Sequence, residues 1–168
     1  DPEAAATQLE KWQRRLSNTQ AAWVWAMTGK FAALKLQPQA TEYFHHAWKR
    51  VKAGEATGWT DDTLAWSVRA ALRAPPTERE RWALVQRSID AMSTAEQREA
   101  AWVYWKARAL QARAPEGPQG DDERTSAYEL LQSIAGQMSF YGKLATEDLG
   151  GRVQLPPAPQ PLTAEERE

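Results

Sequence analysis

Cysteine is absent from this chain of 168 residues. Disulfides, thiolate metal sites and cysteine nucleophiles are therefore excluded. The absence does not identify a redox compartment, because a helical domain of this size can fold without disulfides in any compartment.

The chain also lacks a concentration of charge and a long apolar run. Its 21 basic and 22 acidic residues are interleaved and give a net charge of −1. Nucleic acids and anionic membranes require a concentrated basic surface, so we expect neither as the main partner. No apolar run approaches the ~20 residues of a membrane-spanning helix. The N-terminus has no initiating methionine and does not resemble a signal peptide, and we expect it to be a cut or processed end.

Helical periodicity dominates the sequence, which contains nine tryptophans. Apolar residues recur at i, i+3 and i+7, which predicts helices, and no stretch is a convincing strand. Thr60, Ser93 and Ser139 have the sequence context of helix N-caps, and Glu96 completes a capping-box pattern with Ser93. The predicted helices cover approximately residues 2–16, 19–36, 38–51, 60–74, 82–92, 93–113, 121–135 and 139–149.

The aromatic residues repeat in step with these helices. The even-numbered helices carry, at steps of 41, 39 and 36 residues, Trp25, Trp66, Trp105 and Tyr141. The odd-numbered helices carry, at steps of 36, 34 and 46 residues, Trp12, Trp48, Trp82 and Tyr128. Two helices per period of roughly 40 residues are typical of an α-solenoid, in which each pair buries its apolar face against the next.

The predicted fold is therefore all-α: an α-superhelix, or solenoid, of stacked antiparallel helix pairs, similar to tetratricopeptide arrays. We expect the even-numbered helices to lie between layers and the odd-numbered ones to be half exposed. Each helical tryptophan is expected in the core, and carbohydrate stacking stays open for one or two of them. Residues 1–151 form the predicted repeat domain. Residues 152–168, which contain four prolines, form a predicted extended linker.

No group of residues has the pattern of a catalytic, cofactor-binding or metal site. His45 and His46 are adjacent, so on a helix they point about 100° apart, whereas a metal site needs i, i+3 or i, i+4 spacing. Three of the four acidic pairs, at 61–62, 121–122 and 165–166, lie at predicted helix starts, where capping is favoured over catalysis. The fourth pair, at 147–148, lies at the disfavoured end of a helix. Arg69 and Arg108 occupy equivalent repeat positions, and either pair with acids between layers or line a groove for an anionic ligand.

Several segments together resemble the helical region of bacterial soluble lytic transglycosylases. They are Ala-Trp-Val-Trp at 22–25, Thr-Asp-Asp-Thr-Leu-Ala-Trp at 60–66, Trp-Lys-Ala-Arg-Ala-Leu at 105–110 and Ser-Phe-Tyr-Gly-Lys-Leu-Ala at 139–145. The likeness covers nearly the whole chain. Its most specific part is the last segment, which is followed by a proline-rich stretch.

The resemblance implies a part of a periplasmic enzyme that cleaves peptidoglycan glycan strands without hydrolysis. In that family an α-superhelix precedes a lysozyme-like domain, which carries the catalytic glutamate in a Glu-Ser dipeptide. This chain has no Glu-Ser dipeptide, so no catalytic residue carries over and we expect the isolated chain to be inactive. The implied partners are glycan strands, through Arg69 and Arg108, and the catalytic domain, which would dock on Phe140, Tyr141 and Leu144. The alternative is a generic tetratricopeptide-like protein-interaction module.

Overall fold

The computed structural model describes residues 1–78 and 80–153 and confirms the all-α class. Those residues form nine α-helices and two short 3-10 helices, Gln13–Arg15 and Gly117–Gly120, and they contain no strand. The α-helices are α1 (Pro2–Trp12), α2 (Asn18–Leu34), α3 (Ala40–Trp48), α4 (Asp61–Arg73), α5 (Arg81–Asp90), α6 (Thr94–Gln97), α7 (Ala100–Arg113), α8 (Asp121–Ile134) and α9 (Phe140–Asp148). Most of the proline-rich linker predicted for 152–168 lies outside the described residues.

The helices pack mainly on their near neighbours in the chain. Helix α2 contacts α1, α3 and α4; α4 contacts α2, α3 and α5; and α7 contacts α5, α8 and α9. These three helices carry the even-series Trp25, Trp66 and Trp105, and each is packed on several sides. Helices α3 and α5 belong to the odd series. The main contacts of α3 are with α2 and α4, and those of α5 are with α4 and α7.

The core is divided into two clusters that adjoin at α7. The larger cluster runs from α1 to α7 and contains Trp25, Phe44, Leu64 and Ile89, each at most 1% exposed. The smaller one joins α7, α8 and α9 and is centred on Leu131. Trp105 of α7 packs against both clusters. Helix α7 is therefore apolar on opposite sides because each side covers a different cluster.

Three predicted N-caps are confirmed. The hydroxyls of Thr60, Ser93 and Ser139 each accept a hydrogen bond from a backbone N–H three residues further on. Ser17 is a fourth cap, and with Gln20 it forms a reciprocal capping box that we did not predict. These bonds satisfy N–H groups that the first helical turn leaves without partners.

The prediction of one continuous helix over 93–113 is wrong. It is divided into the single turn α6 and the long helix α7, with extended backbone at Glu99 (φ −63°, ψ 133°). The carboxylate of Glu96 does not return to Ser93 as a capping box requires. It accepts instead from the indole N–H of Trp102 at 2.8 Å. The backbone N–H of Ser93 donates to Asp61 at 2.7 Å, so the second bond of the box is replaced by contacts with other helices.

The expectation that every helical tryptophan is buried is wrong for two of them. Trp12 is 48% exposed and Trp23 is 51% exposed. Helix α1 ends at Trp12 rather than near Leu16, and the Trp12 ring lies against the Arg15 guanidinium at 4.3 Å instead of entering the core. Trp23 is two residues before the buried Trp25, and two residues on a helix turn through about 200°, so the two rings cannot share a face.

Asp61 links the start of α4 to the start of α6. Its carboxylate accepts from the Ser93 hydroxyl and from the Ser93 backbone N–H, each at 2.7 Å. These two hydrogen bonds, the hydroxyl bond first, hold the pKa of Asp61 below its ordinary value of 3.8. Because the ionised form is favoured on folding, its contribution to stability is present above about pH 4 and is lost as the pH falls through the folded-state pKa.

We expect Asp61→Ala to lower the free energy of unfolding by about 1 kcal/mol at pH 7, because a partly exposed charge-assisted pair of hydrogen bonds is lost. The loss should shrink at pH 3, where the wild-type carboxyl becomes protonated. Urea unfolding at both pH values, followed by circular dichroism, measures it. Asp122→Ala, in the first turn of α8, is the matched control. An equal loss at both pH values would contradict the ionic origin of the link.

Candidate functional site

Arg69 stands between two tryptophan rings at the junction of α4 and α7. Its guanidinium carbon lies 4.9 Å from the ring centroid of Trp66 and 5.6 Å from that of Trp102. Trp102 is buried and Trp66 is half-buried, whereas the Arg69 side chain is exposed. Within the described residues Arg69 has no acidic partner. Two cation–π contacts therefore orient a guanidinium whose hydrogen-bond donors stay available.

A cleft with a volume of about 220 Å³ adjoins Arg69. Arg73, one helical turn after Arg69, shares the same face of α4 and also lines the cleft. Trp66, Gln37 and Thr41 contribute the other functional groups, and no acidic residue is among the lining residues. The rest of the wall consists mainly of small apolar side chains, including Ala33, Pro38, Ala70, Ala74 and Pro75. The cleft is therefore apolar within and cationic at α4.

Arg108 is held differently, although its position in the repeat is equivalent. Its guanidinium lies 3.2 Å from a carboxylate oxygen of Asp148 and donates at 3.2 Å to the Tyr104 hydroxyl. That hydroxyl in turn donates to Asp148 at 3.1 Å. Burial is the largest cause of a raised Tyr104 pKa. The two arginines realise different alternatives: Arg108 pairs with an acid, and Arg69 lines a cleft. The structure does not bring them into one site.

The same hydrogen-bond network explains the position of Asp148, for which the sequence offered no reason. Asp148 ends α9, where the helix dipole disfavours a negative charge. The Arg108 guanidinium and the Tyr104 hydroxyl offset this unfavourable charge because both contact the Asp148 carboxylate. These contacts also join α7 to α9. Because both charged side chains are partly exposed, the ion pair contributes no more than about 1 kcal/mol.

An exposed aromatic patch lies at the start of α9. Phe140 is 70% exposed, and Tyr141 and Leu144 are half-buried. The ring of Phe140 contacts the edge of the Tyr141 ring, with centroids 5.2 Å apart. Met138 is 65% exposed just before it, and sequence analysis missed this residue because it falls in a loop. Of the three predicted docking residues, Phe140 and Tyr141 are therefore in contact, and Leu144 lies one helical turn after Phe140 on the same side of α9.

A second apolar surface runs along α2 and was not predicted. Trp23, Phe31 and Leu34 are 51%, 51% and 44% exposed, and Met27 between them is half-buried. Their spacing of four, four and three residues places them on one side of the helix. The expectation that the even-numbered helices lie between layers does not include an exposed apolar face on α2.

The other candidates of the sequence have ordinary partners. His45 lies 3.2 Å from Glu78, and His46 stacks on Trp25 with ring centroids 4.6 Å apart. Asp62 pairs with Lys30 at 2.5 Å and Asp121 with Arg124 at 2.7 Å. Over residues 1–78 and 80–153 there is no group of three side chains suited to hold a metal ion. In that part of the chain, no helix has both the length and the apolarity to cross a bilayer.

Comparisons with protein-family models, with curated proteins and with solved structures found no match to this chain.

Proposed function

We propose that this chain is the superhelical scaffold of a periplasmic peptidoglycan lytic transglycosylase, and that it holds glycan strands for a separate catalytic domain. The observation that carries the proposal is the segment 139–145, with the order Ser-Phe-Tyr-Gly-Lys-Leu-Ala that resembles this family. Each residue type in it has a use in the fold. Ser139 caps α9, Gly142 allows close packing, and Phe140 is exposed beside the half-buried Tyr141.

Two features of the described helices support a scaffold role. The main helix contacts run between neighbours in the chain, as expected for pairs stacked into a curved array. The exposed patch of Phe140, Tyr141 and Leu144 is at the C-terminal end of these helices, where a following domain would pack. An exposed aromatic side chain at this place is available for contact with a partner.

Glycan binding is proposed to involve Arg69, which lines the cleft, and the partly exposed Arg108, which would pair with a carboxylate of the glycan or its peptides in addition to Asp148. Arg69→Ala combined with Arg108→Ala should reduce the amount of protein that co-sediments with purified sacculi. The single variants separate the two contributions. Because Arg108 bridges α7 and α9, Arg108→Ala should also lower the melting temperature, whereas Arg69→Ala should act mainly on binding. Lower thermal stability with unchanged co-sedimentation would show that both arginines are structural.

The scaffold proposal also concerns activity. The isolated chain, incubated with sacculi, should release no anhydromuropeptides above the level of a buffer control. Release above that level would mean that the chain itself carries catalytic groups.

The second candidate is a tetratricopeptide-like protein-interaction module with no cell-wall role. The observation that favours it is the exposed stripe of Trp23, Met27, Phe31 and Leu34 on α2, since a helix bound to an apolar face is a common mode of protein recognition. A chain that does not bind sacculi but binds a specific protein would favour this candidate.

A further inference from the structure

We infer that the cleft beside Arg69 is a binding site for the C-terminal carboxylate of a peptide with small apolar side chains. The site goes beyond the proposed scaffold role, because it is argued from the cleft alone and would exist equally in a protein-interaction module. Its ligand must supply a negative charge, a small apolar group and a hydrogen-bond donor.

The charge follows from Arg69 and Arg73. Neither has an acidic partner within the described residues, and they lie four residues apart on α4. The carboxylate of Glu78 accepts a hydrogen bond from Thr41 and lies 3.2 Å from His45, and Glu78 does not line the cleft. A guanidinium pair of this kind binds a planar carboxylate through charge-assisted hydrogen bonds.

The first turn of α3 adds to the same preference. Its residues Ala40 and Thr41 line the cleft, and its N-cap residue, Gln39, makes no side-chain capping bond. The N-terminal turn of a helix carries a partial positive charge and N–H groups without helical partners. It therefore adds to the preference of the two arginines for a negatively charged ligand.

A hydrogen-bond donor is needed because of Gln37. Its amide oxygen is buried and has no partner among the described residues, and the residue lines the cleft. A buried acceptor without a partner costs about 1–3 kcal/mol, and a ligand N–H recovers this cost when the Gln37 side chain turns its oxygen into the cleft. The last peptide N–H of a chain lies close to its terminal carboxylate, so a peptide end presents both groups together.

The apolar group follows from the walls, and it favours a peptide over a sugar. The alanine and proline side chains accept a methyl or similar group, whereas sugar hydroxyls buried against them would lose hydrogen bonds to water. Arg69 already covers one face of Trp66, and Trp102 is only 7% exposed. Little indole surface is left for a sugar ring. The cleft volume of about 220 Å³ suits one or two small residues, since pockets for drug-sized ligands have volumes of about 300–1,000 Å³.

The test is a titration with N-acetyl-Ala-Ala, compared with the same dipeptide carrying a C-terminal amide. Binding is followed by the NMR signals of the Trp66 indole N–H and of the arginine Nε–H groups. The free acid should bind about tenfold or more tightly than the amide, because one charged pair is lost in the amide. Glucuronate, a sugar acid, should bind more weakly than the dipeptide acid.

Arg69→Met and Arg73→Met should each weaken binding of the dipeptide acid by a similar factor. Arg14 is an exposed arginine outside the cleft, so Arg14→Met should leave this binding unchanged. Circular dichroism shows whether each variant folds. If Arg69→Met does not fold, the binding measured with Arg73→Met decides the question. Equal binding of acid and amide, or unchanged binding in a folded arginine variant, would overturn the inference. Glucuronate binding as tight as that of the dipeptide would overturn the peptide assignment. Neither result depends on sacculi, so failure of this site is distinct from failure of the scaffold proposal.

Discussion

Replacing Trp25 with alanine is expected to lower the free energy of unfolding by about 3–5 kcal/mol, the range for large-to-small substitutions of a buried tryptophan. Trp25 is 1% exposed, and its ring stacks on His46 and lies 5.7 Å from the centroid of Tyr43. Its indole N–H donates to Gln13 at 3.4 Å, so the side chain joins α2 to α3 and to the 3-10 helix after α1. The substitution removes the centre of these contacts.

Trp23→Ala is the matched control, because it removes the same side chain from the same helix two residues away. Trp23 is 51% exposed, and a surface substitution of this kind changes stability by about 0.5 kcal/mol. Chemical denaturation of the two variants, followed by circular dichroism, gives the comparison. The melting temperature of Trp25→Ala should fall by on the order of 10 °C. Similar losses in both variants would mean that the orientation of α2 is wrong.

Gly142→Ala is expected to destabilise the chain by about 2 kcal/mol, although alanine is the better helix former by about 1 kcal/mol. A Cβ atom at this position would lie 2.5 Å from the carbonyl oxygen of Gln137 and 2.9 Å from that of Ile134. Both are backbone atoms, of the α8–α9 connection at Gln137 and of the last residue of α8 at Ile134, so they cannot rotate away. The start of α9 would have to move off this connection.

Lys143→Ala, at the next position of α9, is the control and should have little effect because its side chain is only half-buried. Urea unfolding gives the stability, and amide hydrogen exchange over 139–149 shows whether the loss is local to α9. Unchanged stability in Gly142→Ala, or a gain from helix propensity, would contradict the close approach of α9 to the α8–α9 connection.

The segment 139–145 shows how much of the local structure the sequence can predict. Ser139 is recognisable as a cap because the hydroxyl and the N–H that it satisfies are three residues apart in the same helix. The need for Gly142 is not recognisable in this way, because the backbone atoms that exclude a side chain belong to the end of α8 and to the connection that follows it. Helix ends depend on near neighbours in sequence, and close approaches depend on the packed fold.

The two arginines make the same point for the candidate site. Arg69 and Arg108 lie in similar local sequences, and their difference arises from a residue 40 positions away, Asp148, which reaches only Arg108. Sequence analysis could state both alternatives but could not assign them. The Glu96 carboxylate, drawn from its predicted capping bond to the Trp102 indole, is a second case in which a tertiary partner replaces a local one.

The most direct test of the scaffold proposal is a binding titration with soluble glycan strands of defined length, prepared from sacculi and followed by sedimentation or calorimetry. The proposal predicts saturable binding that strengthens with strand length, since a stacked array offers contacts along several helix pairs. Circular dichroism under the same conditions verifies that the chain is folded. No binding to strands of any length by the folded chain would contradict the proposal.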